Sequence, residues 1–163
     1  MQASELINIV RLAKKNWLLD SPEIKQVLRN TKIGSPRGVF TPHGELSYWL
    51  VPLLVGRMAC GFASIDTIGK ILRLGLFGAS LNEKEKWIDM NYFILPPKDQ
   101  LDLLKQKYPG YSLSKPLFSY DTEPSRFAWL VKVISKKETL SYAFFLPGMW
   151  YEKKSLSSPK DIE

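Results

Sequence analysis

His43 and Cys60 are the only histidine and the only cysteine in a chain of 163 residues. They are therefore the single pair in which a thiol nucleophile could find an imidazole base. Cys60 sits inside an apolar run, where a free cysteine behaves as a small buried hydrophobe, and His43 lies in a Pro-His-Gly turn, so no catalytic residue is assigned. The acids show no hydrolytic pairing: Glu83, Glu85 and Asp89 alternate with lysines, and Asp121 and Glu123 fall in a polar loop, as solvated charges do. One imidazole and one thiol leave no metal-ligand set, and Gly56, Gly61, Gly69, Gly75 and Gly78 match no phosphate-cradling fingerprint. No metal, no cofactor and no enzymatic activity are expected.

Two other groups of side chains suit binding. "YAFFLPGMWYEKK" gathers Phe144, Phe145, Met149, Trp150 and Tyr151, residue types enriched in interface cores, and these are the expected contact surface for another protein or for self-association. The alternative is an anion or nucleic-acid surface. Formal net charge is +7, and Arg11, Lys14, Lys15, Lys25, Arg29, Lys32 and Arg37 fill the first quarter of the chain against only Asp20 and Glu23 in their stretch. Lys14, Lys15, Lys25, Arg29, Lys32 and Arg37 could track phosphates while Trp17 stacks on a base.

Helices must hold these cations. Leu6, Ile9, Val10, Ala13 and Trp17 recur at helical spacing over residues 4–19, with Ser4 as a cap, and Arg11, Lys14 and Lys15 fall on the other side. A second helix begins at "DSPEIKQVLRN", its buried face Ile24, Val27 and Leu28 and its outward stripe Lys25, Arg29 and Lys32. A third follows Pro97, with Leu101, Leu104 and Tyr108 on one face and Pro109-Gly110 as the stop.

The remainder reads as strands. "LSYWLVPLLVGRMACGFASI" (residues 46–65) is apolar enough to suggest a membrane span, but it aligns with a later stretch: Trp49-Leu50-Val51 with Trp129-Leu130-Val131, and Gly61-Phe62-Ala63 with Ser141-Tyr142-Ala143, at one offset. The later copy carries Ser135 to Glu138, with three charges, where the first has Val55 to Met58, and three charges at mid-bilayer are costly. Each copy is therefore read as a hairpin, turning at Gly56-Arg57 and at 135–138. Pro52 suggests an edge or bulge, and Gly75, inside the alternating "KILRLGLFG" strand, a second bulge.

The order helix, strand, hairpin, then Asp66-x-x-Gly69-Lys70-Ile71 at the start of a closing strand resembles PepSY-type modules. That resemblance covers residues 22–78, and more weakly 97–152, where Gly148 is retained and the aspartate is not. It implies a cystatin-like helix-on-sheet unit present twice, and a non-catalytic inhibitor or protein-binding role. The expected fold is α+β: residues 1–80 form an N-terminal helix plus a first unit, 81–96 a docked linker or extra strand, 97–154 a second unit, and 155–163 a frayed tail. The two sheets are expected to be continuous or packed through their strand edges. With a single cysteine and no order of charge, apolar stretch and cleavage site at the N-terminus, the expected location is cytoplasmic.

Overall fold

The computed structural model describes residues 1–16, 22, 25, 29–78 and 82–154. The core of the proposed second helix, Ile24, Val27 and Leu28, lies outside the described residues, as do Trp17 and the tail from 155. The elements are α1 (Ala3–Asn16), β1 (Lys32–Ile33), β2 (Arg37–Phe40), β3 (Leu46–Val55), β4 (Met58–Ile65), β5 (Ile71–Leu76) and β6 (Ile88–Asp89). They continue with α2 (Lys98–Lys107), β7 (Ser112–Leu113), β8 (Leu117–Tyr120), β9 (Phe127–Ser135), β10 (Glu138–Leu146) and β11 (Met149–Lys153). This is an α+β chain with two separate sheets. One runs β1-β3-β4-β5 with β2 beside β3 and β6 beside β4; the other runs β11-β10-β9-β7 with β8 beside β9. The expected continuity of the sheets is corrected accordingly. The chain divides into two compact units, Met1–Gly38 with Ser47–Ile94, and Val39–Leu46 with Leu95 onward.

In the first unit α1 lays Leu6 and Val10 on Val51, Leu53, Ala63 and Ile65, with Ile9, Ile33 and Trp49 at the margin of that core. Its N-terminus is not capped by Ser4, which stands inside the first turn. The Gln2 carbonyl accepts the Leu6 N–H, and the Glu5 carboxylate reaches back to the Gln2 N–H at 2.9 Å, half of a capping box. Residues 46–65 are a hairpin, and among the described residues no helix is long and apolar enough to cross a membrane. The stretch read as a linker or extra strand contributes β6, paired with Met58 and Ala59 of β4.

In the second unit α2 buries Leu104, and the sheet stacks Phe145 on Trp150 and Phe144 on Tyr151. Ala128, Leu130 and Phe144 form a core cluster bordered by Tyr142, Leu146 and Tyr151.

The two long hairpins have the same register. Trp49 stands opposite Ile65 and Trp129 opposite Phe145; Leu53 opposite Gly61 and Val133 opposite Ser141. The offset that carries Trp49 to Trp129 carries every one of these pairs. It also carries the bulge, whose extra residue is Cys60 in β4 and Leu140 in β10. Pro52 is thus in an inner strand, and the bulge begins one residue beyond it. In the second sheet Ser114 Oγ accepts the Lys132 N–H at 2.8 Å; at the matching place Pro52 has no N–H and Gly34 no hydroxyl, so nothing is left unpaired. Gly75 does not mark the second bulge. The register of β4 against β5 slips between Ser64–Arg73 and Ile65–Ile71, so Leu72 is the extra residue and is exposed, while Gly75 lies under the Phe62 ring.

Candidate functional site

A cleft of about 770 Å³ lies in the first unit, lined by Ile7, Arg11, Lys14, Lys15, Arg29, Thr31, Lys32 and Ile33. Ile7, Arg11, Lys14 and Lys15 follow one another at spacings of four, three and one along α1, which places them on a common stripe flanking the Leu6 and Val10 face. Opposite them stand Arg29, Thr31 and the first strand of the sheet. Lys32 and Ile33 are held there by pairing with Leu54 and Leu53. Two walls, α1 and residues 29–33, therefore present cations to one space, and each adds an isoleucine to its lining, Ile7 and Ile33.

The cations differ in condition. Lys14 is partly buried and donates from Nζ to the Thr31 carbonyl at 2.7 Å; burial pushes its ammonium below the ordinary lysine range. It ties α1 to the opposite wall. Arg11, Lys15, Arg29 and Lys32 are exposed, and none of the four is in an ion pair among the described residues. Such a set produces a focused positive potential, because low-dielectric walls concentrate the field of charges that lack local counter-ions. Lys25 and Arg37 do not line the cleft; Arg37 donates to the Ile94 carbonyl at 3.3 Å.

The aromatic set behaves otherwise. Phe144 and Phe145 point to opposite faces of β10 and are both fully buried, so they are core and offer no contact surface. Trp150 and Tyr151 are half-buried, stacked on them, and only Met149 is well exposed. Alternation exposes one face of a strand only when that face is uncovered, and here both are covered.

Cys60 and His43 make no nucleophile. The Cys60 thiol is fully buried in the bulge, its Sγ 3.5 Å from the Leu53 carbonyl, and burial raises it above its ordinary value, the opposite of activation. His43 is exposed in a turn closed by the Thr41 and Glu45 backbone.

Two carboxylate clusters in the second unit are not visible in the sequence. Asp121, expected as a solvated loop charge, is only 2% exposed. It accepts from Tyr151 Oη, from Lys153 Nζ at 2.6 Å and from Thr122 Oγ1 at 2.9 Å, with Arg126 at 3.8 Å. Burial pushes the Asp121 carboxyl up, but the bonds from Lys153, Tyr151 and Thr122 together hold it below its ordinary value. Burial and the same carboxylate push the Tyr151 phenol up to about 12. Glu152 similarly accepts from Lys107 Nζ, from Tyr108 Oη at 2.6 Å and from Ser141 Oγ at 3.0 Å, which pins α2 to β11 and, against the effect of burial, keeps Glu152 below its ordinary value. The one signal in the sequence was the spacing of Tyr151 and Lys153, two apart on a strand and so on one face. Their common partner sits thirty residues upstream, beyond any local pattern.

Compared with known proteins, the chain matches no family model, no curated protein and no solved structure.

Proposed function

We propose that the protein binds nucleic acid through the cleft between α1 and β1. One observation carries this reading: Arg11 and Lys15 on α1, and Arg29 and Lys32 opposite, line one cleft without an acidic partner among the described residues. In the second unit Lys107 and Lys153, by contrast, are each held by a carboxylate. A protein that leaves one cluster unpaired carries a repulsion that an anionic polymer relieves, with release of condensed counter-ions. If all four exposed cations meet phosphates, log affinity falls with log salt with a slope of roughly −3. Binding of a mixed nucleic-acid pool at increasing salt tests this. Arg11→Glu with Lys32→Glu is expected to remove most of the affinity and flatten the slope. Lys98→Glu with Lys105→Glu, an equal charge change on α2, is expected to alter it about two- to three-fold. Equal losses in both variants would reduce the effect to net charge and remove the site.

A second reading, a protein-binding module that takes another strand at a sheet edge, is favoured by β5. It is the outermost strand of its sheet, with Leu72 57% exposed and Ile68, in the preceding loop, 84% exposed. Capture from native lysate with and without nuclease separates the two. Partners that survive nuclease and disappear with Leu72→Asp support the edge, and nuclease-sensitive ones the cleft.

A further inference from the structure

We infer that the cleft selects single-stranded over duplex nucleic acid, an inference that rests on the nucleic-acid reading above. The reasons are shape, the placement of charge and the apolar part of the lining. A duplex offers phosphates on a convex cylinder, and a protein that reads it puts cations on a protruding helix or ribbon that enters a groove. Here the cations face inward from two walls of a depression. Arg11, Lys14 and Lys15 stand on α1, and Arg29 and Lys32 on the other side. A volume of about 770 Å³ is that of a pocket for a small molecule, so it admits individual nucleotides of a strand and not the body of a helix.

The apolar part of the lining adds a second discrimination. Ile7 on α1 and Ile33 on β1 line the cleft from its two walls. A duplex keeps its base faces stacked on one another and has none to lay on such a lining. An unpaired base has two. Apolar contact with a base face is indifferent to sequence, so the cleft would grip the backbone by charge and accept any base. Lys14, held to the Thr31 carbonyl, fixes the distance between the walls and is the residue whose loss would open the cleft.

Fluorescence anisotropy with a labelled single strand of mixed sequence and with the duplex of the same length, at one low and one moderate salt, tests the inference on the full chain. The expected result is at least about ten-fold tighter binding of the single strand. Ile7→Asn should lower single-strand affinity about five-fold with an unchanged salt slope, and Lys32→Glu should lower affinity for the single strand and reduce the slope by about one-half to one. Unchanged circular dichroism and melting of each variant show that the fold is kept, and Ile7→Ala, which keeps a good helix former at the same lining position, repeats the apolar test should Ile7→Asn unfold. Equal or tighter binding of the duplex overturns the preference for single strands while leaving nucleic-acid binding in place. Binding of neither at low salt overturns nucleic-acid binding itself.

Discussion

The two units build the same hairpin and use their charges in opposite ways. In the second, acids on or beside the sheet take up the cations: Asp121 holds Lys153, and Glu152 holds Lys107. In the first, the positions that face Ala63 and Ser64 across the last ladder are Leu74 and Arg73, whereas Ala143 and Phe144 face Glu152 and Tyr151. One sheet spends that strand on apolar packing under α1, and the other on a carboxylate that anchors α2. Lys107 and Lys153 are thus parts of the structure, whereas Arg11, Lys15, Arg29 and Lys32 of the cleft are in no ion pair among the described residues. The same backbone supports both because strand register is fixed by the hairpin, leaving the outer strand free to vary.

The comparison is broken most severely at Asp121. Asp121→Asn leaves the partly exposed Lys153 ammonium short of its counter-charge and weakens three hydrogen bonds to a buried carboxylate, at a cost of about 2 to 3 kcal/mol. Urea unfolding followed through the Trp129 and Trp150 signals should show this loss, with the cleft's affinity unaffected. The pH dependence has a definite sign. Asp121 and Glu152 are held below their ordinary values, so their stabilisation is complete above the usual carboxylate range and is lost as pH falls through the lowered values, below about pH 4. Tyr151 is raised, so its share persists below the ordinary phenol value and is lost as pH rises toward about 12. Asp121→Asn with Glu152→Gln should flatten the acid limb; an unchanged limb would show that other groups set it.

Next in size is position 61. A Cβ there would lie 2.5 Å from the Gly75 carbonyl oxygen of β5, whereas the matching Ser141 uses its hydroxyl to hold Glu152. Gly61→Ser is expected to cost about 2 kcal/mol by overpacking against backbone, and Ser141→Gly about 1 kcal/mol through a lost bond to a charged group. If exchanging the two residues proved neutral, β5 and β11 would not be spaced differently from their neighbours.

These contrasts also mark what a sequence discloses. Helix period, hairpin position and the offset between Trp49 and Trp129 were legible because they depend on local alternation and turn chemistry. The basic stripe of α1 and its grouping with Arg29 and Lys32 were legible too, but Lys32 was expected on a helix and stands instead in β1 opposite Leu54, and Lys25 and Arg37, expected in the same set, do not line the cleft. Phe144 and Phe145 misled because alternation reports two faces and not what covers them. The second bulge fell at Leu72 and not at Gly75, since a slipped register can be placed wherever the extra side chain can face solvent, and glycine is only one means of allowing it.

The hairpin turns sharpen the comparison by about 1 kcal/mol in opposite directions. Gly56 has φ of 61°, and Arg57 is not in the left-handed region, the Gly-first turn expected from the sequence. Lys136 and Lys137 have φ of 48° and 71°, a conformation that two central residues of this turn type need and that lysine adopts at a cost. Lys136→Asn with Lys137→Gly should therefore raise stability by about 1 kcal/mol, and Gly56→Ala should lower it by about as much. Chemical denaturation of the three proteins gives the signs directly, and a destabilised Asn-Gly variant would mean that the lysines hold the turn through contacts of their own.

The smallest effect is expected at the paired bulges, where the same backbone irregularity leaves its extra residue buried in one hairpin and exposed in the other. Cys60 is fully buried with its thiol at the Leu53 carbonyl, and Leu140 is 45% exposed. A bulge frees one residue from the alternation of its strand, so the side chain goes wherever its surroundings admit it. Leu140→Ser should then change stability by less than about 0.5 kcal/mol, as substitutions on open surface do, while Cys60→Ser, which places a hydroxyl in an apolar site, costs about 1 kcal/mol. A thiol reagent supplies a reading independent of stability. Cys60 of the folded protein should resist alkylation, and cysteine placed at 140 in a Cys60→Ser background should react at the rate of an exposed thiol. Equal rates at the two positions would mean that the bulges are alike and that the buried cysteine of the first hairpin is held no more tightly than the open leucine of the second.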